Sequence, residues 1–373
     1  RRTEIMDGGA DQDDEDLIQR EDMVITVSRQ GYIKRVPLAS YREQRRGGKG
    51  RAGMSTRDED FVADVFVANT HAPVLFFSSR GMVYKLKTYR LPIGTPQARG
   101  KAMVNMLPLS AGETISTVLP LPEEDTEGLD EMDIVFATAT GNVRRNKLSD
   151  FTNVMSNGKI AMKLDDGDSL IGVALAEPTD HMLLATHQGK AIRFPVTDVR
   201  VFVGRNSTGI RGIALAPQDK VISMTILHGA EIDTETRDAY LRMAAARRRD
   251  EAGDLGDDQP LDEALFSQLH EAEELILSAA DDGYGKRTSA YDYRVTKRGG
   301  KGIDLMDLMP GSGVAAAFPV SDTDGLVLVT NGGQLIRVPV QDIRIARRST
   351  RGVRLFSLGE GEKVVSVSRI AEE

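Results

Sequence analysis

Cysteine and tryptophan are both absent from this 373-residue chain, and aromatic residues make up only 5% of it. Without cysteine there can be neither a disulfide framework nor thiolate metal ligation, which suits a reducing compartment. There is no run of about 18 apolar residues and no charged-then-apolar leader with a small-residue cleavage site. The chain is therefore expected to be soluble and cytoplasmic, with no membrane span. Catalytic signatures are missing too. The histidines His71, His181, His187, His228 and His270 fall into no H-x-x-x-H or H-E-x-x-H spacing, and there is no G-x-x-x-x-G-K-S/T phosphate loop. No catalytic residue, metal ligand or cofactor is assigned. A propeller-like protein-interaction platform, one alternative, would be expected to expose the aromatic anchors that this chain has in short supply.

The net charge of −8 argues at first against a polyanionic partner, but it is very unevenly distributed. Asp7 to Asp22 carries −7, Glu123 to Glu131 carries −6 and Gly229 to Leu275 carries −9, which leaves about +14 on the rest of the chain. A basic body with acidic appendages is compatible with nucleic acid in a way that the pI near 5.4 conceals.

Six segments share an apolar strand, a small hydroxyl residue, two polar residues, a glycine and a second strand. The glycines are Gly31, Gly81, Gly141, Gly189, Gly283 and Gly333. Four positions on stand Arg35, Lys85, Arg145, Arg193, Arg287 and Arg337, which suit phosphate contact or pairing with acids between blades equally well. Three positions before the glycine stand Ser28, Ser78, Thr138, Thr186 and Thr330, with Ala280 the exception. A second glycine follows in each unit: Gly50, Gly100, Gly158, Gly209, Gly302 and Gly352. Glycine at the end of a turn supplies the positive φ of a tight hairpin. Pieces such as GIRGIAL and VVSVSRI supply two further strands within the unit, about four per repeat, the size of a propeller-type blade. Tyr32, Tyr84 and Tyr284 beside the glycines read as packing residues. The units span 23–72, 73–122, 133–180, 181–228, 273–324 and 325–373, with acidic linkers at 1–22 and 123–132. Residues 229–272 have helical composition and form an acidic insertion between the fourth and fifth units. This insertion and the acidic leader could mimic DNA and compete for a basic surface.

The sharpest local feature is Gln44, Arg45, Arg46, Gly47, Gly48, Lys49 and Gly50, followed by Arg51. Glycines let backbone N–H groups approach phosphate oxygens while arginine and lysine supply charge-assisted bonds. Gly48, Gly50 and Gly53 also satisfy G-x-G-x-x-G, but a nucleotide-dependent enzyme would need that motif inside a βαβ unit, and the surrounding sequence has strand character.

The heptad QRRGGKG matches, without departure, the signature box of the C-terminal domains of DNA gyrase A proteins, and it lies in the first of six β-repeats as in that family. The opening RRTEI and the acidic stretch after it look like the junction that follows the family's catalytic domain. The resemblance runs from about Met23 to Ile370. Topoisomerase IV-type proteins, the other alternative, are similar in their repeats but have a degenerate or missing box. The resemblance implies an all-β fold, a six-bladed, propeller-like β-pinwheel of four-stranded repeats with a partly helical insertion between blades 4 and 5. It implies double-stranded DNA bound round a basic perimeter, mostly through its backbone, and a box required to wrap that DNA with positive handedness. ATP-driven strand passage by the catalytic domain and the gyrase B protein would then introduce negative supercoils on the nucleoid. The strand-cleaving tyrosine would lie before Arg1.

Besides the heptad and Arg51, the expected DNA contacts are Arg99, Lys101, Lys159, Arg205, Arg211, Lys297, Arg298, Lys301, Arg347, Arg348 and Arg351, in corresponding loops of later units. KRGGKG, Lys297 to Gly302, is a partial echo of the box. A continuous basic rim that reads no bases should bind with strong salt dependence and weak sequence preference.

Overall fold

The structure, a computed structural model, describes residues 17–40, 62–123, 131–155, 157–229, 232–248, 261–332 and 334–370. In the first unit the strands are β1 (Asp22–Ser28), β2 (Tyr32–Pro37) and β3 (Val62–Asn69). The second has β4 (Pro73–Ser78), β5 (Met82–Lys87), the two-residue β6 (Lys101–Ala102) and β7 (Ile115–Pro120). The third has β8 (Asp133–Thr138), β9 (Asn142–Lys147), β10 (Lys159–Ile160) and β11 (Leu170–Ala176), and the fourth has β12 (His181–Thr186), β13 (Lys190–Pro195), β14 (Ile210–Arg211) and β15 (Val221–Leu227). Two helices follow, α1 (Thr234–Arg248) and α2 (Glu263–Glu271). The fifth unit has β16 (Leu275–Ala280), β17 (Tyr284–Ser289), β18 (Ile303–Asp304) and β19 (Val314–Val320). The sixth has β20 (Gly325–Thr330), β21 (Leu335–Pro339), β22 (Val353–Arg354) and β23 (Val364–Ile370).

Each unit opens on a hairpin whose turn is fixed by two side-chain requirements. In the first five units the repeat glycine takes a left-handed conformation, as at Gly141 (φ +89°), where its N–H donates to Thr138 O at 3.0 Å. The hydroxyl residue accepts the N–H just beyond the glycine: Ser28 Oγ from Tyr32 N, Ser78 Oγ from Met82 N and Thr186 Oγ1 from Lys190 N, at 3.1–3.2 Å. Where Ala280 breaks this pattern, Asp282 Oδ1 accepts Tyr284 N at 3.3 Å instead. The same hydroxyl position bears a β-bulge against the third long strand of every unit, as at Phe77/Ser78 and Ala185/Thr186, which bends that strand.

The fourth strands depart from the sequence expectation. GIRG and its equivalents do not complete the sheet of their own unit; they cross to the unit before. β6 pairs with β2, β10 with β5, β14 with β9, β18 with β13 and β22 with β17. The sheets therefore run β3-β1-β2-β6, β7-β4-β5-β10, β11-β8-β9-β14, β15-β12-β13-β18 and β19-β16-β17-β22, with β21-β20-β23 the sixth among the described residues. The second repeat glycine is the physical reason. Gly209 has φ +82°, and a Cβ on it would lie 2.3 Å from Val143 O, so only a bare backbone turns tightly enough to lay β14 along β9.

The strands β3, β7, β11, β15, β19 and β23 stand at one edge of each sheet. From β7 to β23 each abuts the next, and β23 returns against β3. The result is a six-bladed propeller with the exchanged strands at the outer edge. Core clusters fill the space between successive blades, among them Met23, Ile25, Val74 and Phe76 between the first and second. Phe77, Phe136 and Phe151 meet between the second and third, at ring separations of 5.4–6.1 Å. The helices of the insertion pack Tyr240, Leu241, Phe266 and Leu269 against Tyr291 of the fifth blade, whose hydroxyl donates to Leu269 O at 3.0 Å. Within the insertion Arg247 is ion-paired to Glu263, and Arg248 pairs with Glu273 at the start of the fifth unit. No described helix is long and apolar enough to cross a membrane.

Alanine at Gly209 is expected to cost about 1–3 kcal/mol, with lost amide-exchange protection at Ile210 and Arg211. Ser78→Ala, which removes only the turn acceptor, should cost about 1 kcal/mol in urea unfolding and leave those amides protected.

Candidate nucleic-acid interface

Between leaving its own hairpin and forming its short strand, each later unit runs along the outer edge of the preceding blade. Four of them first make a parallel bridge to the basic residue four past the glycine: Ile93 with Arg35, Val201 with Arg145, Val295 with Arg193 and Ile345 with Arg287. The loop that follows closes on the second glycine. These edge loops, 94–100, 153–158, 202–209, 296–302 and 346–352, hold or adjoin every sequence-predicted contact from Arg99 onward. Gln44 to Gly50 and Arg51 lie outside the described residues.

Five of the six basic residues four past the first glycine turn inward, and carbonyls more than acids take their donors; the sixth, Arg337, is exposed. Arg35 Nε donates to Leu91 O at 2.8 Å and Lys85 Nζ to Thr152 O at 2.6 Å. Arg193 Nη1 donates to Ala290 O at 2.7 Å, and Arg287 Nε to Ile343 O at 2.6 Å. Arg145 joins Val199 O to Asp133 Oδ2, and Arg287 also pairs with Asp322. Each of these five ties its blade to the turn of the next unit, a structural duty.

The edge-loop candidates divide in two. One group is already engaged. Arg99 lies over the Tyr32 ring at 3.7 Å, and Arg351 over Tyr284 at 3.8 Å while pairing with Asp282 at 3.0 Å. Two of the tyrosines beside the repeat glycines are thus platforms for arginines of the next unit; the third, Tyr84, is buried and donates to Glu113 at 3.2 Å. Arg298 donates to Asp198 O and Arg211 O, both at 3.0 Å, and Arg348 to Asp304 O at 3.2 Å. Arg347 pairs with Asp292 at 3.2 Å and Lys159 donates to Asn153 O. Arg205 stands between the two groups, half-buried with its Nη1 lacking a hydrogen-bond partner among the described residues. The other group, Lys101, Arg211, Lys297 and Lys301, is exposed, and its side chains have no protein partner among the described residues.

Arg298 reaches β14 of the third blade and Arg348 reaches β18 of the fourth, so the loops of blades 3, 4 and 5 are stitched edge to edge. This brings Arg211, Lys297, Arg298, Lys301, Arg347, Arg348 and Arg351 along one stretch of rim. Arg99 and Lys101 stand on the first blade and Lys159 on the second, further round. Exposed Arg294 and Arg344 belong to the same stretch and escaped the sequence reading. Their signal was the position eight before the second glycine, where the first unit has Arg42.

Three further cations escaped it. Lys34, Arg144 and Lys286, three past the first glycine, are fully buried. Burial pushes Lys34 down to about 8, Arg144 to about 10 and Lys286 to about 7. Asp292 and Asp307 face Lys286 and oppose the shift, while Arg348 adds to it. With Lys286 deprotonating near 7 when folded and near 10.5 when unfolded, the unfolded chain holds the extra proton between those values, so stability rises with pH across that window. Urea midpoints should therefore climb from pH 7 to 9.5, and climb less in Lys286→Met.

A family model described as the DNA gyrase C-terminal domain, beta-propeller, matches residues 22–69, 72–122, 133–177, 180–228, 274–321 and 326–371. The chain is 52% identical over 378 residues to the DNA gyrase A protein of Rickettsia conorii, covering all of this chain and 42% of that protein. It is 39% identical over 373 residues to the DNA gyrase A protein of Escherichia coli, covering all of this chain and 37% of that protein. The chain thus spans less than half the length of these relatives. Among solved structures it is similar in fold to a DNA topoisomerase IV C-terminal domain (TM-score 0.71, 20% identity, 95% of this chain and 94% of that one). It is also similar to a DNA gyrase A C-terminal domain (TM-score 0.61, 21% identity, 94% and 99%).

Proposed function

Because the chain belongs to the family of DNA gyrase C-terminal β-propeller domains, we propose that it binds duplex DNA along the outer edges of its blades and wraps it with positive handedness. In this reading it has no catalytic centre, metal or cofactor of its own. It serves the ATP-dependent negative supercoiling carried out by the catalytic part of gyrase A with gyrase B, in the cytoplasm on the nucleoid. The observation that carries the reading is the placing of one basic loop after another at the exchanged-strand edge, with Lys101, Arg211, Lys297 and Lys301 free of protein partners among the described residues. Ammonium and guanidinium groups without internal partners are available to displace counterions from phosphate. The engaged arginines keep a share of their five donors and a fixed orientation, which suits contacts that set the path of a duplex rather than read its sequence.

The box Gln44 to Gly50 enters as the wrapping clasp on the strength of its sequence. An intact box also favours gyrase over a topoisomerase IV-type role, although the fold is shared with both.

The test is topological. The 373-residue chain is bound to relaxed closed-circular plasmid, treated with a nicking-closing topoisomerase, and compared with Arg45→Ala/Arg46→Ala/Lys49→Ala. Positive writhe captured by the wild type and lost in the triple variant, with binding only partly reduced, is the expected result. Binding without writhe would overturn the wrapping mechanism, and no binding at low salt would overturn the DNA assignment. Separately, Lys297→Ala/Lys301→Ala should lower the slope of log K against log salt by about 2, at about 0.9 per phosphate contact.

A further inference from the structure

The position three past the first glycine alternates round the ring: Lys34, Tyr84, Arg144, Ile192, Lys286, Ile336. In blades 1, 3 and 5 it is a lysine or arginine, buried under the edge loop that the next unit lays across the blade, and most of its donors go to backbone carbonyls of that loop; Arg144 also reaches Ala161 O of its own unit and the neighbouring Asn146 amide. Lys34 Nζ donates to Thr95 O at 3.0 Å and Pro96 O at 2.5 Å. Arg144 donates to Arg205 O at 2.6 Å, Ser207 O at 3.0 Å, Ala161 O and Asn146 Oδ1. Lys286 Nζ donates to Arg347 O and Thr350 O at 2.7 Å and to Arg348 O. The carbonyls that receive these bonds belong in part to Arg205, Arg347 and Arg348, whose side chains are proposed DNA contacts.

Blade 4 has Ile192 in that place. An aliphatic chain cannot answer carbonyls, and a cavity of about 180 Å3 lies there, lined by Ile192, Lys297, Gly300 and Lys301 among others. The loop over it is KRGGKG. In blade 2 the place is taken by Tyr84, whose hydroxyl turns to Glu113 and not to the loop.

We infer that Lys34, Arg144 and Lys286 are positioning residues for DNA binding, internal donors that hold the edge loops of blades 1, 3 and 5 in one shape from beneath, while the glycine-rich loop of blade 4, held at its rim through Thr296, Arg298, Gly299 and Gly300, has no such donor beneath it. This inference rests on the proposed DNA-binding role of the rim, but its structural half, bracing, stands on the hydrogen bonds alone. A buried donor shared among two or three carbonyls fixes the backbone that carries the outward arginines. Removing it would leave those carbonyls buried and unanswered, and the loop would open to recover water. The braced loops then present phosphate ligands in a preset geometry, and the blade 4 loop, with a cavity and not a donor beneath it, has more room to adjust to the duplex.

The experiment compares wild type, Lys286→Met, Lys286→Arg and Ile192→Lys, reading amide hydrogen exchange loop by loop and DNA affinity against salt. In Lys286→Met, exchange at Arg347 to Thr350 should accelerate about tenfold or more with other edge loops unchanged, the opening being local. The salt slope should fall by about 1 to 2 as Arg347 and Arg348 lose their positions. Lys286→Arg, which imports the solution blade 3 already uses, should restore both. Ile192→Lys should slow exchange at Thr296 to Lys301 by placing an ammonium in the cavity. Unchanged exchange and unchanged slope in Lys286→Met would overturn the inference, as would acceleration spread evenly over all edge loops. Should Lys286→Met fail to fold, Ile192→Lys decides: a protected loop supports bracing and an unprotected one overturns it. If the wild type binds no DNA while the exchange pattern is as expected, the DNA reading fails and bracing survives.

Discussion

Strands of two residues cannot hold themselves in a sheet, yet β6, β10, β14, β18 and β22 complete five of the blades. What keeps them is a close backbone approach that only glycine permits, followed by an antiparallel pairing with a strand of the preceding unit. Much else depends on that exchange. The parallel bridges at Ile93, Val201, Val295 and Ile345, the inward clamp of the basic residue they face, and the course of every described edge loop exist because the chain must travel from one blade to the edge of its neighbour.

The exchange also sorts the basic residues. A chain with 48 lysines and arginines and a net charge of −8 cannot be understood by counting. Some cations are tied to carbonyls of the next unit's turns, such as Arg35 and Arg287. Some are stacked on tyrosines, such as Arg99 and Arg351. Some are buried beneath loops, and a few are left exposed with no protein partner among the described residues. Only the last group offers its full charge to solvent; the others shape the surface that presents it. Desolvation accounts for the cost at the buried sites, where burial drives Lys286 well below an ordinary lysine.

The hairpins were legible in the sequence because one steric demand, a left-handed turn with an acceptor beside it, recurs in unit after unit and leaves glycine and a hydroxyl at fixed spacing. The helical insertion was legible from its alanine, leucine and charged composition, though not its seat on Tyr291, which needs three-dimensional proximity. Strand exchange was not legible. GIRG has the same local chemistry whether it joins its own sheet or the previous one, and spacing alone does not separate the two. The basic edge loops were legible as candidates, but the engagement of their arginines was not, since Tyr32 and Tyr284 lie far along the chain from Arg99 and Arg351. Lys34, Arg144 and Lys286 were missed because a buried lysine and an exposed one are the same letter, and their position holds a cation only in alternate units.

Strand exchange also sets a timetable for synthesis. Each of the first five blades is finished by chain made after it, so a newly emerged hairpin carries an open edge until the following unit arrives. For the first blade the wait lasts from Ile33 to Lys101. For the fourth it lasts from Ala191 to Ile303, because the whole helical insertion must be made in between. The blade beneath the KRGGKG loop is therefore the one whose bare edge stays exposed longest on the ribosome.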